Sequence, residues 1–350
     1  MPNPSDVTQL AEKIYNTGLR NNWYLVCRAT DVGAKPLSLL RLNEKIVLWR
    51  DAAGKVCAVE DFCPHRGAPL SHGHVVEQGI ACIYHGVVVD PQGVVAAVPP
   101  VENCPIVGRR MVKSYPVREA VGAIFLYFSD GVDDTVPEFE LPPELTSDEW
   151  SGFIYAEDWQ CNYMKPLDNR LDPMHAVYLH AVSFTLSFGV KQSVIDLHET
   201  PSGFYIERDN QRGVNIDRTE VTVMPGNNIW VQTAIPYPKS AGGNFFYIFS
   251  HLTPIDEHRT YLWVMRYQKS SGWRRDMWRF LYKNRLERRH DDVIDQDRAI
   301  MEAIPHGQTK RETLIQCDVG LVRLRRMIRR ESEAQARRIL GADAHQSAAE

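Results

Sequence analysis

No stretch of this 350-residue chain is long and apolar enough to span a bilayer. Charge of one sign is scarce as well. The 40 Lys and Arg nearly balance 44 Asp and Glu, and a net charge of −4 offers no strong field for nucleic acid or an anionic membrane. The seven cysteines are odd in number and unevenly spaced, which argues against a disulfide-stapled secreted fold at this length. The opening "MPNPSDVTQLAEKIYNTGLR" is amphipathic and charged, and lacks the apolar core of a signal peptide. Internal repeats, low-complexity tracts and a Gly-rich dinucleotide fingerprint are all missing. The expectation is a cytoplasmic protein, partner to neither nucleic acid nor membrane, with reduced thiols, some of them bound to metal.

Hydrophobic residues are plentiful at 44%, enough for buried cores, and the length favours two domains. After an N-terminal helical segment (1–21), residues 22–128 read as short strands. "WYLVCRA", "KIVLWR", "KVCAVE" and "AVGAIFLYFS" are β-rich, and "VVVDPQGVVAAV" is a hairpin turning at Pro91-Gln92-Gly93. Residues 129–150 are acidic and proline-containing, and read as a linker. In 151–350 a helical pattern over 159–180 precedes six strand candidates, "QSVIDLHE", "GFYIER", "RTEVTVMP", "NIWVQTAIP", "NFFYIFSHLTP" and "RTYLWVMRYQ". A long helix follows from about Trp273 to Ala303, then a basic helical tail from Cys317. The fold class is α+β: an antiparallel β domain, then an antiparallel sheet gripped by helices.

Two mixed Cys/His arms stand in the first domain: Cys63-x-His65, sixteen residues, then Cys82-x2-His85. Two thiolates and two imidazoles suit tetrahedral zinc or a [2Fe–2S] centre. Zinc arms more often pair Cys with Cys and His with His. In an iron–sulfur centre the mixture has a purpose, because neutral histidines on one iron raise its potential.

A second constellation is Asp172-x2-His175-x4-His180. Two histidines and a carboxylate can hold Fe(II) on one face with positions open. Asp172 and His175 share a helix face, whereas five residues at roughly 100° each put His180 about 140° away. Both rings reach one ion only if the helix bends, bulges or ends, so an irregularity is predicted around 176–180. The plainer alternative makes Asp172 a cap over Pro173, and His175 and His180 core histidines. A carboxylate from elsewhere is needed. "RRHDDVIDQDRAIMEAI" offers His290, Asp291, Asp292, Asp295 and Asp297, of which Asp297 sits where the helix turns apolar.

"CPHRGAPLSHGHV…ACIYHG" resembles the Rieske motif, with Ile83 and Val87 where that motif usually has proline and tryptophan. From about Asn22 to Arg330 the chain is similar to the α subunits of Rieske non-heme iron oxygenases, near the dicamba and vanillate O-demethylase group. The resemblance implies a [2Fe–2S] cluster on Cys63, His65, Cys82 and His85, and Fe(II) on His175, His180 and Asp297. It makes Asp172 a bridge between the two metal sites across a homotrimer interface, places Asn169 beside the iron, and makes His251 of "SHLTPID" a substrate contact. For His251 a buried strand histidine is the equal alternative. The implied activity is monooxygenation of a small aromatic compound with O2, including O- or N-demethylation. Electrons would come from NAD(P)H through a separate reductase, or a reductase plus ferredoxin. Ring hydroxylation or dihydroxylation is the runner-up, and a non-catalytic Rieske electron carrier the reading of another class.

Overall fold

The computed structural model describes residues 3–133, 135–183, 186–187, 189–209, 215–216, 218–226, 228–236, 245–307 and 311–346. The chain forms two compact units, residues 20–139 and residues 1–19 with 140–350. The N-terminal helix α1 (Pro4–Thr17) therefore belongs with the C-terminal unit. There Tyr163 Oη donates to the Tyr15 carbonyl at 2.8 Å, and Asn162 Nδ2 donates to Asn16 O at 3.0 Å.

The described residues of 20–139 hold ten strands: β1 (Asn22–Arg28), β2 (Leu37–Arg41), β3 (Glu44–Arg50), β4 (Val56–Glu60), β5 (His74–Val76), β6 (Gly79–Ala81), β7 (Val88–Val89), β8 (Val95–Ala97), β9 (Val117–Ala120) and β10 (Ala123–Phe128). They pair antiparallel in three sheets, ordered β1-β10-β9, β2-β3-β4 and β5-β6-β7-β8. The Val-, Ile- and Trp-rich runs suit pleated, buried surfaces. Trp49, Val59, Leu70, Ile80, Val89 and Val95 pack one core, and Cys63 and Cys82 belong to it.

The C-terminal unit begins with α2 (Pro143–Thr146) and β11 (Trp150–Trp159), a strand the sequence reading did not include. Two short helices follow, α3 (Met164–Arg170) and α4 (Ala176–Leu179). Then come β12 (Ile195–Thr200), β13 (Gly203–Arg208), β14 (Arg218–Met224), β15 (Asn228–Pro236), β16 (Phe245–Pro254) and β17 (Thr260–Lys269). They build one antiparallel sheet, ordered β11-β17-β16-β15-β14-β13-β12. The expected single long helix is α5 (Gly272–Leu281) and α6 (Glu287–Ala303), joined by a π-helical turn over Tyr282–Leu286. The last helix is α7 (Val319–Gln346).

Register sorts the sheet's two faces. Ile248 pairs with both Arg266 and Thr233, so these three point the same way. Leu252, Leu262, Val264 and Val231 share that face and pack with Leu167, Ile294 and Leu324 of the helices. His251 has the opposite parity and pairs with Trp263.

Candidate metal centres

Each Cys/His arm in residues 20–139 is the same turn made twice. Gly67 N–H donates to Cys63 O at 2.8 Å, and Gly86 N–H to Cys82 O at 2.9 Å. Each turn is closed further by the cysteine's own N–H, Cys63 to Ala68 O and Cys82 to Val87 O. Both glycines sit at positive φ, +74° and +73°, which a Cβ would strain. Asp61 anchors the first turn, accepting from Ser71 N at 2.7 Å and Ser38 Oγ at 2.9 Å.

The thiols are turned into the core and touch each other, and burial pushes the Cys63 pKa up. The imidazoles lie toward the surface, His65 exposed and His85 half-buried, with ring centroids 4.6 Å apart. Thiols on the inner side and imidazoles on the outer make two donor pairs rather than one set of four; among the described residues the trio whose ligand atoms lie within 4.8 Å of one another is a different one. A single zinc needs four converging donors, whereas a two-iron cluster takes the thiolates on one iron and the imidazoles on the other. The four residues therefore fit a [2Fe–2S] cluster.

That other trio is His175, His180 and Asp297. Pro173 discourages helix at Asp172, so α3 ends at Arg170. Asp172 Oδ1 then accepts from Met174 N at 2.9 Å and His175 N at 3.3 Å, as a cap. The short α4 stops against His180 at its C-terminus. Asp172 and His175 thus lie on a turn rather than sharing a helix face; the break falls at 171–175, ahead of the expected 176–180, and α4 ends at His180. It lets both rings face α6.

His180 Nε2 is 3.1 Å and His175 Nε2 3.5 Å from Asp297 Oδ1. The tautomers follow from the opposite ring nitrogens. His180 Nδ1–H donates to Gln296 Oε1 at 2.9 Å, and His175 Nδ1–H to the Asp172 carbonyl, so both Nε2 atoms are turned to Asp297, where a metal would replace the protons they share with it. Asn169 Nδ2 donates to Asp297 Oδ1 at 3.3 Å. Asp297 is 1% exposed. Burial pushes its carboxyl up, yet hydrogen bonds from His175 and His180 and the charge of Arg170 hold it well below the usual carboxylate range. Burial lowers the His175 pKa, but the hydrogen bond to Asp297 outweighs it and the net direction is up. Two neutral imidazole nitrogens and one carboxylate oxygen are the donor set of a non-heme Fe(II) site.

The trio sits between two cavities, and Asn169 and His175 line both. The larger, about 880 Å³, is walled also by Asp172, Tyr178, Ile300, Met301 and His306. The smaller, about 40 Å³, is walled by Arg170, Ile216, Ile235, Phe246, Ile248 and Arg266 among others. The carboxylate of Asp172 is 30% exposed and faces the larger one.

His251 lines neither cavity. It is buried on the other face of the sheet, with Nε2 2.9 Å from Asn228 Oδ1 and its ring edge-on to Trp230. Of the two expectations, this placement favours the buried strand histidine over the substrate contact, because strand parity turns the side chain from the metal side. Sequence reasoning missed Gln296, Arg170 and Arg266, and named His290 only as one candidate of the late helix. The signal for Gln296 was its place beside Asp297 on α6. Arg170 and Arg266 gave none, since a lone arginine in a helix or strand reads as surface.

Residues 22–116 match the Rieske [2Fe-2S] domain, and residues 159–334 match the vanillate O-demethylase oxygenase C-terminal domain. The chain belongs to the Rieske non-heme iron oxygenase family. A putative toluene-4-sulfonate monooxygenase system iron-sulfur subunit of Comamonas testosteroni is 37% identical over 191 residues, 53% of each chain. A vanillate O-demethylase oxygenase subunit of Pseudomonas sp. (strain HR199 / DSM 7063) is 35% identical over 198 residues, 54% of this chain and 51% of that one. The chain spans about half the length of the curated relatives it matches. In fold it is similar to dicamba monooxygenase bound to dicamba, with a TM-score of 0.69 at 21% identity over 91% of this chain and 98% of that one. No helix among the described residues is long and apolar enough to cross a membrane.

Proposed function

We propose that this chain is the terminal oxygenase of a multicomponent system, oxidising a small aromatic compound with O2 and electrons passed from NAD(P)H by a separate reductase, directly or through a ferredoxin. The carrying observation is the His175–His180–Asp297 trio, with all ligand atoms within 4.8 Å of one another, in a chain that also holds the twin Cys/His turns. An electron carrier needs only the turns. The relatives' names, toluene-4-sulfonate monooxygenase and vanillate O-demethylase, support monooxygenation, including oxidative demethylation. In demethylation an aryl methyl ether, O2, two electrons and two protons give a phenol, formaldehyde and water.

A [2Fe–2S] cluster on Cys63, Cys82, His65 and His85 would supply single electrons, and Fe(II) on His175, His180 and Asp297 would supply the dioxygen chemistry. The chain's own residues aim those donors. Gln296 fixes the His180 ring, the Asp172 carbonyl fixes His175, and Asn169 steadies the shared oxygen of Asp297. In a head-to-tail homotrimer the Asp172 carboxylate, exposed in the larger cavity, would accept a hydrogen bond from the partner subunit's His85. That contact would join the two metal sites through one residue, its carboxylate toward the cluster and its carbonyl on His175.

The test is purified protein plus a compatible reductase, screened against aromatic compounds for substrate-dependent O2 uptake, with product mass under ¹⁸O2. Three irons per chain and labelled or demethylated product are expected. Two irons per chain and no uptake would leave an electron carrier.

A further inference from the structure

We infer that Arg170 anchors the substrate, and that the substrate is a small aromatic acid whose carboxylate or sulfonate pairs with the Nε–Nη2 edge of that guanidinium. This rests on the oxygenase reading above and names the substrate class of the same site.

Arg170 is the last residue of α3, its side chain 10% exposed and lining the smaller cavity beside His175, His180 and Asp297. Its Nη1 is 3.9 Å from Asp297 Oδ2. Its Nε and Nη2 are buried and have no hydrogen-bond partner among the described residues. In a planar guanidinium the N–H groups on Nε and Nη2 point the same way from one edge, and form the fork that takes two oxygens of one oxyanion. Leaving charged donors buried and unmet is costly, so the fork implies an acceptor from outside the chain.

The second arginine of this cavity is already engaged. Arg266 donates from Nη1 to Tyr282 Oη and from Nη2 to Asp291 Oδ1, both at 2.8 Å. Two arginines and two carboxylates, Asp291 and Asp297, balance there, and a divalent metal on Asp297 leaves a net positive surround. His290 adds no charge, because burial and nearby Arg266 push its pKa down to about 3. The opposing walls, Ile216, Ile235, Phe246, Ile248 and Val293, are apolar and suit a ring. At about 40 Å³ the space holds no ring until lining side chains yield, so binding is coupled to their movement.

The test is anaerobic calorimetry of the holoenzyme with 3-methoxybenzoate, 3-methoxybenzenesulfonate and neutral 3-methoxybenzamide. One of the two anions should bind about 10- to 100-fold tighter than the amide, from charge-assisted hydrogen bonds. Which anion gains the margin decides between carboxylate and sulfonate. Arg170→Met should erase the margin and keep three irons per chain. Arg170→Lys keeps the charge without the fork and should lose about tenfold for the anion alone; with the wild-type comparison it carries the test where Arg170→Met does not fold. Equal binding of all three probes by wild type, a margin that survives Arg170→Met, or loss of iron with equal weakening of all three would overturn the assignment. If Asp297→Ala keeps its iron and turnover, the oxygenase reading fails separately from the anchoring role.

Discussion

Cys63 and Cys82 reach their cradle through two turns, each closed by its own backbone and a glycine at positive φ. His180 and Gln296, by contrast, meet across 116 residues, and Asn169 and Asp297 across 128. The cluster site is thus a property of short loops set on a small β unit. The trio exists only when α3, α4 and α6 pack on one sheet. Damage should therefore stay local in the first site and spread through packing in the second.

The largest expected effect breaks the long-range site. Asp297→Ala should remove the mononuclear iron and abolish turnover, while visible absorbance of the cluster persists; elemental analysis beside the spectrum checks this. Gly67→Val should do the converse. A β-branched residue at φ +74°, with its Cβ about 3.0 Å from the Phe62 ring, should disrupt the first turn, bleaching the cluster and leaving one iron per chain. Loss of both metals would show that the two sites are not independent. Gln296→Leu is subtler: with His180 no longer held at Nδ1, iron affinity should fall about 10- to 100-fold, read by chelator competition.

His251→Phe sharpens the contrast between the sheet's faces. Losing the buried hydrogen bond with Asn228 should cost roughly 1–3 kcal/mol in denaturant unfolding, with KM and iron content unchanged; a raised KM alone would restore it to the pocket. The smallest effect concerns the β unit. Burial pushes the Glu44 carboxyl up, but Arg20, Lys113 at 2.7 Å and Tyr115 at 2.5 Å hold its pKa below the ordinary 4.5. A carboxyl depressed in the folded state stabilises fully above the unfolded pKa, and that stability is lost as pH falls through the folded value. Glu44→Gln should therefore lower stability at pH 7 by about 1 kcal/mol and flatten the decline below pH 4.5, followed by circular dichroism.

The strands were legible because their runs are β-branched and aromatic between turn residues, and all six expected strands of the C-terminal unit are present. β11 was hidden because "SGFIYAEDW" follows the acidic stretch and mixes charge into its alternation. The break at 171–175 was misplaced, because Asp172 and Pro173 end one helix and start another on the same few residues. The placement of His251 turned on parity, which becomes visible only once β16 is paired with β17.

By itself the sequence determined the donor types and their local spacing, since cysteines, histidines and positive-φ glycines act over a few bonds. It also determined which segments become strands, through side-chain shape and alternation. The tertiary structure brought Asp297, which the sequence already favoured over its acidic neighbours on α6, against the histidines, and it alone decided that Gln296 steadies one of them. It alone left the fork of Arg170 buried and open, because burial is a property of what packs around a residue and the chain order does not record it.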